Sequence, residues 1–165
     1  VHVTGVDISA GMLDVGREKI AVRGWNDRIE LIQGDSVALP FDDGSFDGFT
    51  VAFGVRNFED LQGGLQDMLR VLKPGAMGLV LEFSKPKHFP IKQVFGLYFK
   101  HIMPTVGKWV SKDPAAYTYL PESVQAFPEG EAFLDEMGKA GYVDVKAKSL
   151  TGGIATIYTG RKPQA

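Results

Sequence analysis

The stretch Val1-His2-Val3-Thr4-Gly5-Val6-Asp7-Ile8-Ser9 decides the fold. Its first six residues are mostly β-branched and lead into Asp7, a pattern typical of a buried strand. Ser9 is a good N-cap, and apolar residues recur at helical spacing from there to Gly24. A second apolar run at residues 29–32 then ends in a turn. Strand, helix and strand in this order predict a βαβ unit with parallel strands.

The alternation continues along the rest of the chain. We expect a strand over 46–53, a helix over 61–72, a strand over 78–83, a helix over 129–139, and strands over 143–150 and 154–160. Lys73-Pro74-Gly75 is expected to stop the second helix, because proline cannot continue it. The pattern predicts an α/β fold with a parallel sheet and helices on both faces.

Composition limits the class of protein. The chain has 165 residues, 18 Lys+Arg against 20 Asp+Glu, and no cysteine. That length fits a single domain, and the net charge of -2 gives no overall field that would hold nucleic acid. His2, His88 and His101 are far apart in sequence, so we expect no metal site.

Residues 87–128 interrupt the α/β rhythm. Apolar residues recur at helical spacing over 91–103, but Lys92, Lys100 and His101 interrupt them, so a membrane-spanning helix is excluded. One interpretation is an amphipathic helix packed on the core. The other is a lid or apolar wall over a binding site, in contact with a membrane surface.

Two carboxylates follow consecutive predicted strands. Asp7 ends the first strand, and Asp35 follows Gly34 after the second. In doubly wound sheets, ligands bind at the carboxyl ends of the strands. There Asp7 could accept hydrogen bonds from ribose hydroxyls and Asp35 one from an adenine amine. Each could instead be a helix cap or turn residue, but the pair favours an adenosine site.

Several motifs resemble those of one enzyme family. The first half is similar to the nucleoside-binding part of class I S-adenosylmethionine-dependent methyltransferases, and the later motifs resemble the ubiquinone/menaquinone biosynthesis C-methyltransferase family. The motifs are Gly5-Val6-Asp7-Ile8-Ser9, Gly34-Asp35-Ser36, Phe53-Gly54-Val55-Arg56-Asn57-Phe58, Arg70-Val71-Leu72-Lys73-Pro74-Gly75, Leu81-Glu82-Phe83-Ser84-Lys85-Pro86 and Ala116-Tyr117-Thr118-Tyr119-Leu120-Pro121-Glu122-Ser123.

The resemblance implies a Rossmann-like domain that binds S-adenosylmethionine. It also implies an upstream strand and a Gly-rich cofactor loop, which this chain lacks. We therefore expect residues 1–165 to be one partial methyltransferase domain, with residues 87–128 as a helical insert that covers the substrate. The cofactor-binding residues implied are Asp7, Met12, Asp35, Ser36 and Ala52.

The implied reaction is C-methylation of a polyprenylated quinol, either demethylmenaquinol or its benzoquinol equivalent. Arg56, Asn57 and Tyr117 are the candidate catalytic residues. Arg56 would bind the quinol oxygen or orient a water that accepts the ring proton, unless it only pairs with Glu59 or Asp60. Glu82 could hydrogen-bond the substrate or brace the Arg56 loop, and we expect the bracing role.

Other functional classes of protein remain compatible with the sequence. One alternative is a methyltransferase that acts on another small molecule. A nicotinamide-dependent oxidoreductase could use Asp7 to hold ribose, and a non-catalytic module could bind a nucleotide or a lipid quinone. We expect no nucleic-acid partner. Peripheral membrane contact and a homodimer are both compatible with the sequence. Since no targeting segment is visible, a cytoplasmic enzyme working near the membrane is expected.

Overall fold

The computed structural model describes residues 1–97 and 122–164. Two 3-10 turns, Val55–Asn57 and Thr151–Gly153, lie between the regular elements, and residues 122–126 are helical. In chain order the helices and strands are β1 (Val3–Asp7), α1 (Ala10–Arg23), β2 (Ile29–Gln33), β3 (Phe46–Ala52), α2 (Leu61–Arg70), β4 (Leu72–Phe83), α3 (Ile91–Leu97), α4 (Glu131–Lys139), β5 (Val143–Leu150) and β6 (Ala155–Arg161).

The described strands form two sheets. Strands β1 and β2 pair in parallel, and the other four strands follow the order β3-β4-β6-β5. Strands β3 and β4 are parallel, whereas β6 runs antiparallel to both β4 and β5. The α/β class is confirmed, but the wholly parallel sheet is not. Only the Thr151–Gly153 turn joins β5 to β6, which is too short a crossover for parallel strands.

The βαβ unit forms as its sequence predicts. The Ser9 side chain accepts a hydrogen bond from the Met12 amide, and Gly24 ends α1 with φ of 66°. Leu31 of β2 lies between two glycines, since a Cβ at Gly5 or at Gly16 would approach its methyl carbons to 2.7 or 2.6 Å. Glycine therefore allows β1, β2 and α1 to pack closely.

Strand β4 begins six residues before its predicted start. Helix α2 ends at Arg70, and Leu72 already pairs with Phe46 of β3. The β3–β4 ladder is then irregular until Met77 pairs with Gly48. Pro74 lies in this irregular stretch, where its missing N–H breaks no ladder hydrogen bond. The proline therefore marks a bulge within the strand rather than the end of the helix.

The main core lies on the four-stranded sheet. Helices α2 and α4 place Leu65, Phe133 and Met137 in it with no exposed surface, beside Tyr158 of β6. Burial of such side chains stabilises the fold by roughly 1.5–3 kcal/mol each. This core supports the turn that follows β3.

The two described ends of the predicted insert contribute unequally to the core. Helix α3 forms over part of the predicted 91–103 helix, with Ile91 and Phe95 half-buried and no residue fully buried. At the other end Val124 and Phe127 are buried, and Phe127 lies in the main core. Residues 98–121, which include Tyr117, lie outside the described residues. Among the described residues, no helix combines the length and the apolar character needed to cross a membrane.

Two glycines of α1 give a test of the close packing around Leu31. We expect Gly16→Ala to destabilise the protein by about 1–3 kcal/mol, because the added methyl overpacks Leu31. Gly11→Ala is the matched control, since no atom lies within 4 Å of its added Cβ. It should be neutral or stabilising by up to about 1 kcal/mol. Urea unfolding measures both, and equal effects would contradict the packing role of Gly16.

Candidate active site

Asp7 and Asp35 lie together at the carboxyl ends of β1 and β2. Asp7 is paired with Gln33, and the Gly34 amide donates a 3.2 Å hydrogen bond to the Asp7 carbonyl. The Asp7 Oδ1 accepts from the Ser9 amide at 2.8 Å, and the Asp35 Oδ1 accepts from the Val37 amide at 3.1 Å. Both side chains are exposed. The backbone thus orients two neighbouring carboxylates toward solvent.

This arrangement fits the polar groups of a nucleoside. In each carboxylate one oxygen caps a local turn, and the Oδ2 makes no hydrogen bond to any described residue. Two such oxygens can accept from hydroxyl or amine donors. The turn-capping alternative is therefore realised through each Oδ1, and each Oδ2 stays available to a donor.

Two of the other three predicted cofactor residues lie beside this edge. Met12 is 64% exposed in the first turn of α1, directly after the Ser9 cap. Ser36 is half-buried, and its hydroxyl lies 3.5 Å from the Asp35 Oδ1. Ala52 is the exposed last residue of β3, in the other sheet. Met12 and Ser36 therefore lie beside the carboxylate pair, and Ala52 marks the edge of the second sheet.

A strained residue directly follows Ala52. Phe53 has φ of 57°, a left-handed conformation that costs a non-glycine residue about 1–3 kcal/mol. Its amide donates to the Leu81 carbonyl at 2.8 Å, and its ring lies 4.5 Å from the Phe83 ring. Sequence analysis missed this feature, because no residue type there requires positive φ. The strained turn carries Arg56 and Asn57.

The Arg56 side chain holds this turn against β4. It is 11% exposed, and its Nη1 lies 3.2 Å from the Oε2 of Glu82, whose side chain is fully buried. The same Nη1 also donates to the Phe53 carbonyl, and the Arg56 amide donates to the Glu82 Oε1 at 3.2 Å. One buried carboxylate therefore fixes both the backbone and the side chain of the turn.

The ion pair corrects one expectation and confirms another. Arg56 pairs with Glu82 instead of Glu59 or Asp60, since Asp60 caps α2 by accepting from the Gly63 amide at 2.9 Å. The bracing role predicted for Glu82 is confirmed.

A small cavity lies beside the same guanidinium. It has a volume of about 230 Å³, and its lining is apolar apart from Arg56 and main-chain atoms. The Arg56 Nε is buried and has no hydrogen-bond partner among the described residues. A buried donor without a partner is costly, so this nitrogen is suited to a ligand oxygen or a water. The lining residues are Val55, Arg56, Phe58, Leu61, Ala126, Phe127 and Pro128.

A second arginine fixes the loop that follows Asp35. Arg70 of α2 donates to the carbonyls of Leu39, at 3.0 Å, and Phe41, at 2.6 Å. Its Nε lies 2.7 Å from the Oδ1 of Asp67, whose Oδ2 accepts from the Leu39 amide at 2.7 Å. Arg70 and Asp67 together therefore clamp the loop at Leu39, and sequence analysis missed this clamp. Its signal was the i, i+3 spacing of Asp67 and Arg70 on one helix face.

The clamp changes the ionisation of both partners. The hydrogen bond from Arg70 holds the pKa of Asp67 below its usual value, with a further contribution from the Leu39 amide. The hydrogen bonds to Asp67 and Asp43 raise the pKa of Arg70. Both groups are therefore charged at neutral pH, which strengthens their hydrogen bonds.

The other two predicted catalytic residues are Asn57 and Tyr117. The Asn57 amide donates to the Gly54 carbonyl at 3.0 Å within the turn, and the residue is exposed. Tyr117 lies outside the described residues. In residues 1–97 and 122–164, no three His, Asp or Glu side chains gather closely enough to hold a metal ion.

The sequence matches a known family over nearly its full length. A family model described as the ubiE/COQ5 methyltransferase family covers residues 1–162. The chain belongs to this family. The matched range includes both the Asp7 edge and the Arg56 turn.

Curated relatives agree with this membership. A demethylmenaquinone methyltransferase of Bacteroides fragilis is 48% identical over 161 residues, covering 98% of this chain and 66% of that protein. A ubiquinone/menaquinone biosynthesis C-methyltransferase UbiE of Geobacter sulfurreducens is 44% identical, covering 98% of this chain and 63% of that protein. The chain thus spans slightly less than two thirds of these relatives' length.

Solved structures share the fold at low sequence identity. The [4+2]-cyclase SpnF superposes with a TM-score of 0.70 at 17% identity, covering 100% of this chain and 67% of that one. Phosphoethanolamine N-methyltransferase 2 of Haemonchus contortus superposes with a TM-score of 0.68 at 15% identity, covering 98% of this chain and 43% of that one. That structure was solved with phosphomonomethylethanolamine and S-adenosylhomocysteine. These proteins therefore share the fold of this chain.

The bracing role of Glu82 predicts that the protein loses stability when this carboxylate is removed. Glu82→Gln should lower the free energy of unfolding by about 3 kcal/mol, because it leaves the Arg56 charge buried without a counter-charge. Glu59→Gln is the matched control, an exposed carboxylate near Arg56, and should change stability by less than about 0.5 kcal/mol. Urea unfolding at pH 7 measures both, and a larger loss in Glu59→Gln would contradict the assigned pair.

The contacts of Asp67 predict how the stability of the protein depends on pH. Because folding lowers the pKa of Asp67 below 3.8, its contribution to stability is complete above about pH 4 and is lost as pH falls through the lowered value. Asp67→Asn should therefore reduce the loss of stability between pH 5 and pH 2. Asp14→Asn is the control, since Asp14 forms an exposed i, i+3 pair with Arg17. Urea unfolding at several pH values measures how the free energy of unfolding changes with pH. Asp14→Asn should show the same change as the wild type, and a wild-type change in Asp67→Asn would contradict the role of Asp67.

Proposed function

We propose that this protein takes part in quinone biosynthesis as an S-adenosylmethionine-dependent C-methyltransferase acting on a polyprenylated quinol. Family membership and the names of the curated relatives support this reaction. The observation that carries the proposal is the meeting of Asp7 and Asp35 at the carboxyl ends of two parallel strands.

The Asp7 edge is the proposed nucleoside site. The Asp7 Oδ2 would accept from the ribose hydroxyls and the Asp35 Oδ2 from the adenine amine, while each Oδ1 keeps its turn in place. Met12 would pack against the nucleoside, and Ser36 and Ala52 would line the site. S-adenosylmethionine supplies an electrophilic methyl group when it is bound there.

The Arg56 turn is the proposed quinol site. The apolar cavity fits a hydrocarbon ring, and the Arg56 Nε could donate to a quinol oxygen or to a water beside it. Arginine keeps its proton, so its role is to stabilise developing negative charge on oxygen and to position the water that accepts the ring proton. Asn57 and Tyr117 are proposed to assist, and residues 87–128 to cover the substrate.

The proposed methyl transfer requires neither an oxidant nor a reductant. The quinol oxygen donates electron density to the neighbouring ring carbon, which forms a new bond to the methyl carbon as the sulfur–methyl bond breaks. The ring proton then leaves to the positioned water, which restores aromaticity. Arg56 acts by orientation and charge.

Calorimetry and turnover on the full-length protein test the proposal. We expect S-adenosylmethionine to bind and NAD not to bind. Asp7→Ala should weaken binding of S-adenosylmethionine about 10–100-fold, through the lost hydrogen bonds to a charged group. Arg56→Ala should instead lower kcat for demethylmenaquinol at least about 100-fold while leaving cofactor binding within about threefold.

Asp14→Ala is the matched control for Asp7→Ala, since it removes an exposed carboxylate from α1. It should bind S-adenosylmethionine like the wild type. Binding of NAD without S-adenosylmethionine would overturn the proposal in favour of an oxidoreductase. Binding of S-adenosylmethionine without methyl transfer to any quinol would overturn the substrate assignment.

A further inference from the structure

Charge is distributed unevenly along the sequence. Residues 83–112 contain no Asp or Glu, whereas the rest of the chain holds all 20 acidic residues and only 12 Lys+Arg. A chain with a net charge of -2 therefore contains a strongly positive segment. The lysines of this segment are Lys85, Lys87, Lys92, Lys100, Lys108 and Lys112.

The described part of this segment also exposes large apolar side chains. Phe89 is 82% exposed, Val94 65% and Leu97 60%. Lys87 and Lys92 are exposed beside them in the chain. We call these five residues the basic-apolar surface.

Helix α3 is attached to the protein by other residues. Ile91 and Phe95 are half-buried, and Ile91 lies against the turn at Gly152, where an added Cβ would come within 2.2 Å of its Cδ1. Val94 and Leu97 are three residues apart, so they share a different stripe of the helix. The helix is therefore anchored on one side and presents an apolar stripe on another.

We propose that the basic-apolar surface docks the protein on an anionic lipid bilayer. Exposed Phe and Leu side chains partition into the boundary between headgroups and acyl chains, and lysines beside them are attracted to anionic headgroups. Because the remainder of the chain is acidic, electrostatic attraction would orient this face toward the membrane. The proposal rests on the proposed function, since a polyprenylated substrate resides in the bilayer.

The apolar residues distinguish a bilayer from the other anionic partner, nucleic acid. Nucleic-acid sites combine positive charge with planar groups that stack on bases, mostly aromatic rings and arginine. The basic-apolar surface offers two aliphatic side chains, one phenylalanine and no arginine. This composition favours insertion into lipid.

Vesicle sedimentation of the full-length protein tests the proposal. Wild type should bind vesicles of phosphatidylcholine with phosphatidylglycerol at least about tenfold more tightly than vesicles of phosphatidylcholine alone, and added salt should weaken this binding. Lys87→Gln with Lys92→Gln should weaken it by roughly 10–30-fold. Phe89→Ser with Val94→Ser should weaken binding by at least about tenfold even at high salt.

Matched controls come from α1, where Lys19 and Val22 are also exposed. Lys19→Gln with Val22→Ser should bind vesicles like the wild type. Equal binding to neutral and anionic vesicles, equal losses in the control, or preferential binding of single-stranded RNA would each overturn the proposal.

The same variants separate this proposal from the proposed function. Binding of S-adenosylmethionine should be unchanged in the double variants, whereas methyl transfer to a long-chain quinol in anionic vesicles should fall with vesicle binding. Normal vesicle binding by the double variants, whatever their methyl transfer, would overturn the docking role. Failure of the wild type to bind S-adenosylmethionine concerns only the proposed function, because vesicle binding is measured without it.

Discussion

The buried ion pair between Arg56 and Glu82 is the contact on which the β3 turn depends. Glu82 is fully buried on β4, so its charge is tolerable only because Arg56 and two backbone amides surround it. The same guanidinium donates to the Phe53 carbonyl and so stabilises a residue with left-handed backbone. Without the pair, both a buried charge and a strained turn would lack support.

A second arginine fixes the neighbouring loop in a similar way. Arg70 and Arg56 each combine a carboxylate partner with a loop carbonyl, at Leu39 and at Phe53. The planar guanidinium makes this combination geometrically favourable, since its donors point in several fixed directions. Loops that border the proposed nucleoside and quinol sites are therefore held on rigid elements, which is a requirement for positioning two reactants.

The fold alone does not determine the reaction. A cyclase and an N-methyltransferase both superpose on this chain at a TM-score near 0.7. Family membership comes instead from the sequence match over residues 1–162 and from the identity to the curated relatives. The positive segment over residues 83–112 adds a property that sheet topology does not encode, because surface charge is independent of the core that defines the fold.

The sequence by itself determined the α/β class, most element boundaries, the Asp7 and Asp35 edge and the bracing role of Glu82. These follow from local periodicity, caps and spacing. Tertiary structure alone decided the division into two sheets, the early start of β4 at Leu72 and the left-handed Phe53. The reason is physical: strand pairing and backbone strain depend on contacts between residues distant in sequence, and local propensity carries no information about those partners.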